Sequence, residues 1–408
     1  MATQPGPGPS TWYVLALGFV GFVTSFGAHI VAVNLPIYAA QVGVGVAVIG
    51  LLIAAYDLAE LVAKPLFGWV ADAQGMKRTM LAGIVVFTLA SLSYLVLPPQ
   101  LLVLVRFAQG VGAAALSAVS LALVGRYFAE SRGRAYGIYN AIKGAGYVVS
   151  PLVGGAIVFK SHFSMIFVAA AAIGGVALLI AMLLPSDRAA RGSAGTLDDD
   201  DDDLSFRAFL DLLREPALLR WYAVIVVNMF FVGILFGFLP VRVHALHYGP
   251  LASGVMLSVV ALSYLLIQPV AGVAADRTGA LPTIRLGLIL SASGTIAVAL
   301  VGGTPFVIAA VLAGAGIGIV WTNTDTIISQ LADPRSLGAT MGAAGSFKEL
   351  GDMLGPIAIG LLAQWLGLST GFIVCGALGL ASVLLLGKSR GVSSSRRGGG
   401  PSAPRRLR

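Results

Sequence analysis

Charge is what this sequence has least of. Only 11% of its 408 residues are Asp, Glu, Lys or Arg, against 57% hydrophobic ones. A soluble domain carries about 25% charged residues, so too little polar surface exists to cover a water-soluble fold of this size. A disordered chain and a coiled coil are excluded on the same ground. Cysteine is scarcer still. Cys375 stands alone, which excludes an intrachain disulfide and any cysteine-based metal cluster. His29, His162, His244 and His247 form no metalloprotease pattern. Lys and Arg are absent before Lys64. Residues 1–11 therefore lack the basic start of a cleaved signal peptide and read as a Pro/Gly-rich lead into a retained first helix. No Walker-type phosphate loop occurs, which disfavours an ATP-driven pump.

What the chain has instead is long apolar runs. A membrane-spanning helix needs about 20 mostly apolar residues. Twelve such runs lie at 12–39, 46–70, 79–97, 100–125, 136–159, 163–184, 221–245, 251–275, 283–302, 305–331, 338–363 and 369–387. Turn chemistry separates them, as at Leu97-Pro98-Pro99-Gln100 and Gly249-Pro250. The longest polar stretch, 185–220, follows the sixth run and holds the consecutive aspartates Asp198–Asp203, a solvated linker. After them, 204–215 has helical apolar spacing and suits the membrane surface. The pattern predicts an all-α integral membrane protein with 12 transmembrane helices in two pseudo-symmetric six-helix bundles. Its parts are a lead (1–11), an N-terminal bundle (12–184), a cytoplasmic linker (185–220), a C-terminal bundle (221–387) and a basic tail (388–408). If both termini are cytoplasmic, the inner loops and tail hold 20 of the 26 Lys and Arg, and the outer loops hold Lys160 alone. That asymmetry predicts N and C termini inside the cell membrane. The tail arginines (Arg390, Arg396, Arg397, Arg405, Arg406, Arg408) suit anionic lipid headgroups better than nucleic acid.

The halves repeat at an offset near 204 residues. Leu35-Pro36 corresponds to Leu239-Pro240, the stretch from Lys64 to Asp72 to that from Gln268 to Asp276, and Gly110/Gly112 to Gly314/Gly316. With one residue of slip, Lys143 corresponds to Lys348 and Pro151 to Pro356. Two parallel six-span halves meeting at a midplane cavity suit alternating access.

Several local motifs carry a family resemblance. The loop after span two runs Gly68-Trp69-Val70-Ala71-Asp72-Ala73-Gln74-Gly75-Met76-Lys77-Arg78, and a second copy runs from Gly272 to Gly279 with Asp276 and Arg277. Span four has Arg106-Phe107-Ala108-Gln109-Gly110-Val111-Gly112. Span five has Gly137, Gly146 and then Ser150-Pro151-Leu152-Val153-Gly154-Gly155. Over residues 12–387 the chain resembles a twelve-helix major facilitator superfamily transporter, and specifically its drug/proton antiporters. It departs from their pattern at Ala73, Met76 and Ser150. The resemblance implies that Gly68, Asp72, Gly75, Lys77, Arg78, Asp276 and Arg277 serve gating, with Asp72 latching the inner end of span eleven. It also implies that spans three, six, nine and twelve face lipid. Apart from Arg285 at the edge of span nine, these four carry no acidic or basic residue in their apolar stretch. Gly110, Gly146, Pro151, Gly154 and Gly155 read as close helix packing.

Ionisable residues inside spans are costly and point to function. Asp57, Glu60 and Lys64 share one face of span two. Asp57 with Glu60 is the expected proton-accepting pair, tuned by Arg106; a static Glu60–Lys64 ion pair is the alternative. Asn34, Asn140, Lys143, Tyr147, Asp325, Lys348, Glu349 and Asp352 are the expected substrate-cavity residues. Lys143 and Lys348 could receive an anionic substrate. Alternatively, Lys348 pairs with Asp352 or Glu349, and Lys143 with Asp325 or Asp57. His29 suits either cavity or packing. The expected activity is transport, not enzyme catalysis: proton-coupled export of a small amphipathic compound or drug. Symport or exchange of an anionic metabolite or lipid is the main rival, and a non-transporting sensor the remote one. No cofactor or metal is expected, the proton gradient being the driving force. The expected partners are a small-molecule substrate, protons and membrane lipids around a monomer, with no nucleic acid.

Overall fold

The computed structural model describes residues 11–41, 43–128, 131–185, 211–332 and 337–386. The lead, Asp198–Asp203, most of 204–215 and the tail arginines lie outside the described residues. Within them the regular structure is helical, with twelve long helices. The first six are α1 (Thr11–Gln41), α2 (Val46–Gln74), α3 (Met76–Ser93), α4 (Leu102–Tyr127), α5 (Arg132–Lys160) and α6 (Met165–Met182). The second six are α7 (Pro216–Ala245), α8 (Pro250–Thr278), α9 (Ala280–Leu300), α10 (Gly303–Leu331), α11 (Leu337–Leu366) and α12 (Leu368–Leu385). Ten are long and apolar enough to cross a membrane. Of the others, α11 is diluted by Lys348, Glu349 and Asp352, and the apolar stretch of α12 is Leu368–Leu384. Lipid offers backbone groups no partner, so spanning segments close their hydrogen bonds internally as helices.

Packing follows the repeat. Within the first half α1 packs on α5, α2 on α4, and α3 on α4 and α6; within the second, α7 packs on α11, α8 on α10, and α9 on α10 and α12. The halves meet along α2–α11, α5–α8 and α1–α7. Helices α3, α6, α9 and α12 pack chiefly within their own halves.

The interface is tightest at one end. A Cβ on Gly50 of α2 would collide with the Pro356 carbonyl of α11, and a Cβ on Gly254 of α8 with the Pro151 carbonyl of α5. These contacts obey the repeat: 50 and 254 differ by 204, 151 and 356 by 205. Both lie away from the 72–78 and 276–280 loops. Toward those loops the glycines are less crowded, and a Cβ on Gly68, Gly272, Gly342 or Gly345 would meet nothing within 4 Å. The tight crossings thus close the bundle at the end away from these loops. The loops themselves turn on Gly75 (φ +101°) and its counterpart Gly279 (φ +91°), a backbone region that side chains with a Cβ avoid.

Candidate functional site

Along the seam between the halves, α2 presents Asp57, Glu60 and Lys64 to α11. Lys64 Nζ lies 3.2 Å from Glu60 Oε2 and 2.5 Å from Glu349 Oε1. The first pair is one helical turn apart; the second crosses between halves over a separation of 285 residues. Asp57 and Asp352 lie within electrostatic reach of this group, and neither has an ion-pair partner among the described residues. The α2–α11 seam thus gathers four carboxylates around one lysine.

The α5–α8 seam differs in chemistry. By the repeat, Glu60 corresponds to Tyr264 and Asp352 to Tyr147. Two acids on one seam become two tyrosines on the other. Tyr147 and Tyr264 lie edge to face, 6.0 Å between centroids. His29 stacks obliquely on Tyr147 at 4.4 Å and meets Phe236 at 4.9 Å, while Tyr264 stacks on Trp321 at 5.9 Å. His29 Nδ1 donates to the Ser25 carbonyl at 2.8 Å. Five elements, α1, α5, α7, α8 and α10, supply this aromatic wall. The sequence reading missed Phe236, Tyr264 and Trp321. Aligning the repeats at Glu60 would have exposed Tyr264; Phe236 and Trp321 carry no local signal.

The lysines have separate fates. Lys348 pairs with Asp325 of α10 at 2.8 Å and lies 4.9 Å from the Trp321 ring centre. The expected partners Asp352 and Glu349 are not used, because Lys348 turns toward α10 while Glu349 turns toward α2. Lys143 is partly buried on α5 and has neither a hydrogen bond nor an ion pair among the described residues, so its expected pairing with Asp325 or Asp57 is absent.

Arg106 does not reach a carboxylate among the described residues. It is 1% exposed, donates through Nη1 to Gln109 Oε1 at 2.8 Å and through Nη2 to the Ala28 carbonyl at 3.0 Å, and lies 4.4 Å from the Tyr56 ring centre. Gln109 Nε2 in turn donates to Ser91 Oγ at 2.9 Å. The network ties α4 to α1, α2 and α3. Arg106→Ala removes two buried charge-assisted hydrogen bonds and the Tyr56 contact, and is expected to destabilise the protein by roughly 2–4 kcal/mol. A thermal-unfolding midpoint unchanged in detergent would refute this.

The remaining expected residues are dispersed. Asn34 is 1% exposed and donates to the Ile30 carbonyl of its own helix at 2.9 Å, which places it in α1–α5 packing rather than the cavity. Asn140 is exposed. Gly110 meets Tyr56, Gly146 meets Ser25, Gly154 meets Asn34 and Gly155 meets Pro250, so each allows close helix approach. Lys77 donates to the Met182 carbonyl at 2.8 Å and to that of Leu184, at the C-terminal end of α6, where a cation complements the helix dipole. Arg78, Asp276 and Arg277 are exposed, and the Asp72 side chain lies outside the described residues. Two apolar clefts of about 370 and 480 Å³, beside Leu58 and Val259, hold none of the ionisable residues above.

Comparison with known proteins agrees with this architecture. The sequence profile of the Major Facilitator Superfamily matches residues 17–262 and 222–407. Over 191 residues the chain is 36% identical to the puromycin resistance protein pur8 of Streptomyces alboniger, covering 46% of this chain and 38% of that one. Over 316 residues it is 27% identical to a multidrug resistance protein B homolog of Mycobacterium tuberculosis, covering 65% of this chain and 58% of that one. The chain thus spans only about two fifths to three fifths of these relatives' length. In fold it is similar to the nucleoside transporter NupG, with a TM-score of 0.76, 14% identity, and 92% of this chain and 98% of that one covered. Apolar helices, parallel halves and the profile match agree: the chain is a multi-pass membrane protein and belongs to the Major Facilitator Superfamily.

Proposed function

We propose that this protein is a proton-coupled exporter of a small amphipathic compound, working by alternating access. Its twelve helices cross the cell membrane as two six-helix halves, 12–184 and 221–387, with both termini cytoplasmic. The excess of Lys and Arg in loops on one side supports that orientation. The end that carries the 72–78 and 276–280 loops then faces the cytoplasm, and the contacts at Gly50 and Gly254 close the outside. The resistance proteins among the relatives support export of a drug-like compound. The proton gradient supplies the energy, and no cofactor is needed.

The observation that carries this reading is the α2–α11 seam, where Glu60 and Glu349 share Lys64 with Asp57 and Asp352 nearby. Like charges crowded in low dielectric cannot all remain ionised, so at least one carboxylate binds and releases a proton as the seam opens and closes. Asp57, with no ion-pair partner, is the principal coupling residue and Glu60 assists it. Arg106, within electrostatic reach of Asp57, tunes the pair. Asp57→Asn is expected to lower pH-gradient-driven transport in proteoliposomes by tenfold or more, a barrier change of about 1.4 kcal/mol. Full gradient-driven transport by this variant would refute the assignment.

A further inference from the structure

Lys143 and Lys348 occupy equivalent places in the two halves, yet among the described residues only Lys348 has an ion-pair partner. Lys348 is neutralised by Asp325. The residue equivalent to Asp325 in the first half is Leu121 of α4, 41% exposed and without charge. No carboxylate was placed where Lys143 would need one. The carboxylates within its electrostatic reach, Glu60 and Glu349, both already bind Lys64. An ammonium held in a low-dielectric cavity without a counter-charge is costly. A bound anion would remove that cost.

The surroundings describe the rest of such a ligand. Lys143 stands one helical turn before Tyr147 on the same face of α5. Tyr147 joins the wall of His29, Phe236, Tyr264 and Trp321. His29, Tyr147 and Trp321 are only partly buried, so their surfaces remain open to a ligand. A flat apolar body gains area and ring stacking there, while its acidic group receives a charge-assisted hydrogen bond from Nζ.

We propose that Lys143 is the specificity-determining residue of the cavity, and that the substrate is an aromatic acid whose anionic group pairs with Lys143 while its ring lies on the Tyr147 wall. This deepens the exporter reading and rests on it for direction and energy source, but not for recognition. Coupling uses the acidic α2–α11 seam; recognition uses the aromatic α5–α8 seam with Lys143. The break in the repeat separates the two tasks.

The test uses three probes with one ring system: naphthalene-2-sulfonate, the neutral naphthalene-2-sulfonamide and the cationic 2-naphthylmethylammonium. Binding to the purified full-length protein in lipid nanodiscs is measured by calorimetry. The wild type is expected to bind the sulfonate about tenfold or more tighter than the sulfonamide, and the cation most weakly. Lys143→Gln removes the sulfonate preference and leaves sulfonamide affinity in place; Lys143→Arg retains the preference. Equal affinity for all probes, binding of none, or a sulfonate preference that survives Lys143→Gln overturns the proposal. So does loss of all binding in Lys143→Gln that Glu60→Gln restores, since Lys143 would then serve an internal ion pair. Sulfonate binding that depends on Lys143 but drives no proton movement in proteoliposomes leaves the recognition site standing and sinks the coupled-export reading.

Discussion

Lys64→Ala is expected to abolish transport and lower stability together. Lys64 is the shared counter-charge of Glu60 and Glu349, at 3.2 and 2.5 Å. Its removal leaves two carboxylates facing each other across the halves, with Asp57 and Asp352 nearby. Breaking a buried pair by deleting one partner costs about 3–5 kcal/mol, mostly as the penalty on the charge left behind. The seam relieves that penalty by parting or by holding extra protons, and either outcome uncouples proton movement from the halves. Lys64→Ala combined with Glu349→Gln removes charge from both sides and should regain part of the lost stability. A double-mutant cycle on thermal unfolding measures the coupling, expected at about 1 kcal/mol or more. Wild-type transport and unfolding in the single variant would show that the bridge contributes nothing.

Gly50→Val and Gly254→Val are expected to prise open the closed end. In each, the new side chain collides with a proline carbonyl on the opposite half, Pro356 or Pro151. Backbone on both sides leaves no flexible side chain to yield, so the contact itself must give way. The population then shifts toward a state with this end open and the other closed. A tenfold shift requires only about 1.4 kcal/mol of differential strain. The single native cysteine makes the measurement direct. In a Cys375→Ser background, a cysteine replacing Ile53, which is 5% exposed on α2, reports the opening. Labelling by an impermeant thiol reagent should quicken about tenfold in either glycine variant. Gly175→Val on α6 is the control, because a Cβ there meets nothing within 4 Å. Unchanged labelling in both variants would remove these crossings from the account of gating.

The local and the long-range parts of the structure were not equally legible. Helix positions could be read because lipid forces each apolar run to satisfy its own backbone; α2, for example, runs Val46–Gln74 where 46–70 was expected. The repeat was legible because glycines and prolines mark positions where a side chain or an N–H is excluded, and Gly75 and Gly279 with positive φ are two such marks. Pairing was not legible. Spacing put Lys348 one turn from Asp352, yet its partner is Asp325 on another helix. Spacing did place Glu60 beside Lys64, but the second partner, Glu349, lies 285 residues away. Arg106 reads as a tuning charge for Asp57, and it stands within electrostatic reach of Asp57, but its hydrogen bonds to Gln109 and Ala28 could not be read from spacing. Periodicity tells which residues share a helix face, not which neighbouring helix that face meets.

The sequence by itself therefore determined the solvent, the helices, the pseudo-symmetry and the set of ionisable residues. Composition, run length and internal repetition are properties of the chain, and the bilayer admits few ways of folding them. Only the tertiary structure decided that one seam is ionic and the other aromatic, that Lys64 joins the halves, and that Lys143 has no ion-pair partner among the described residues. Those outcomes depend on the rotation and crossing of helices distant in sequence. A side chain contributes to that geometry only through the neighbours that packing brings to it.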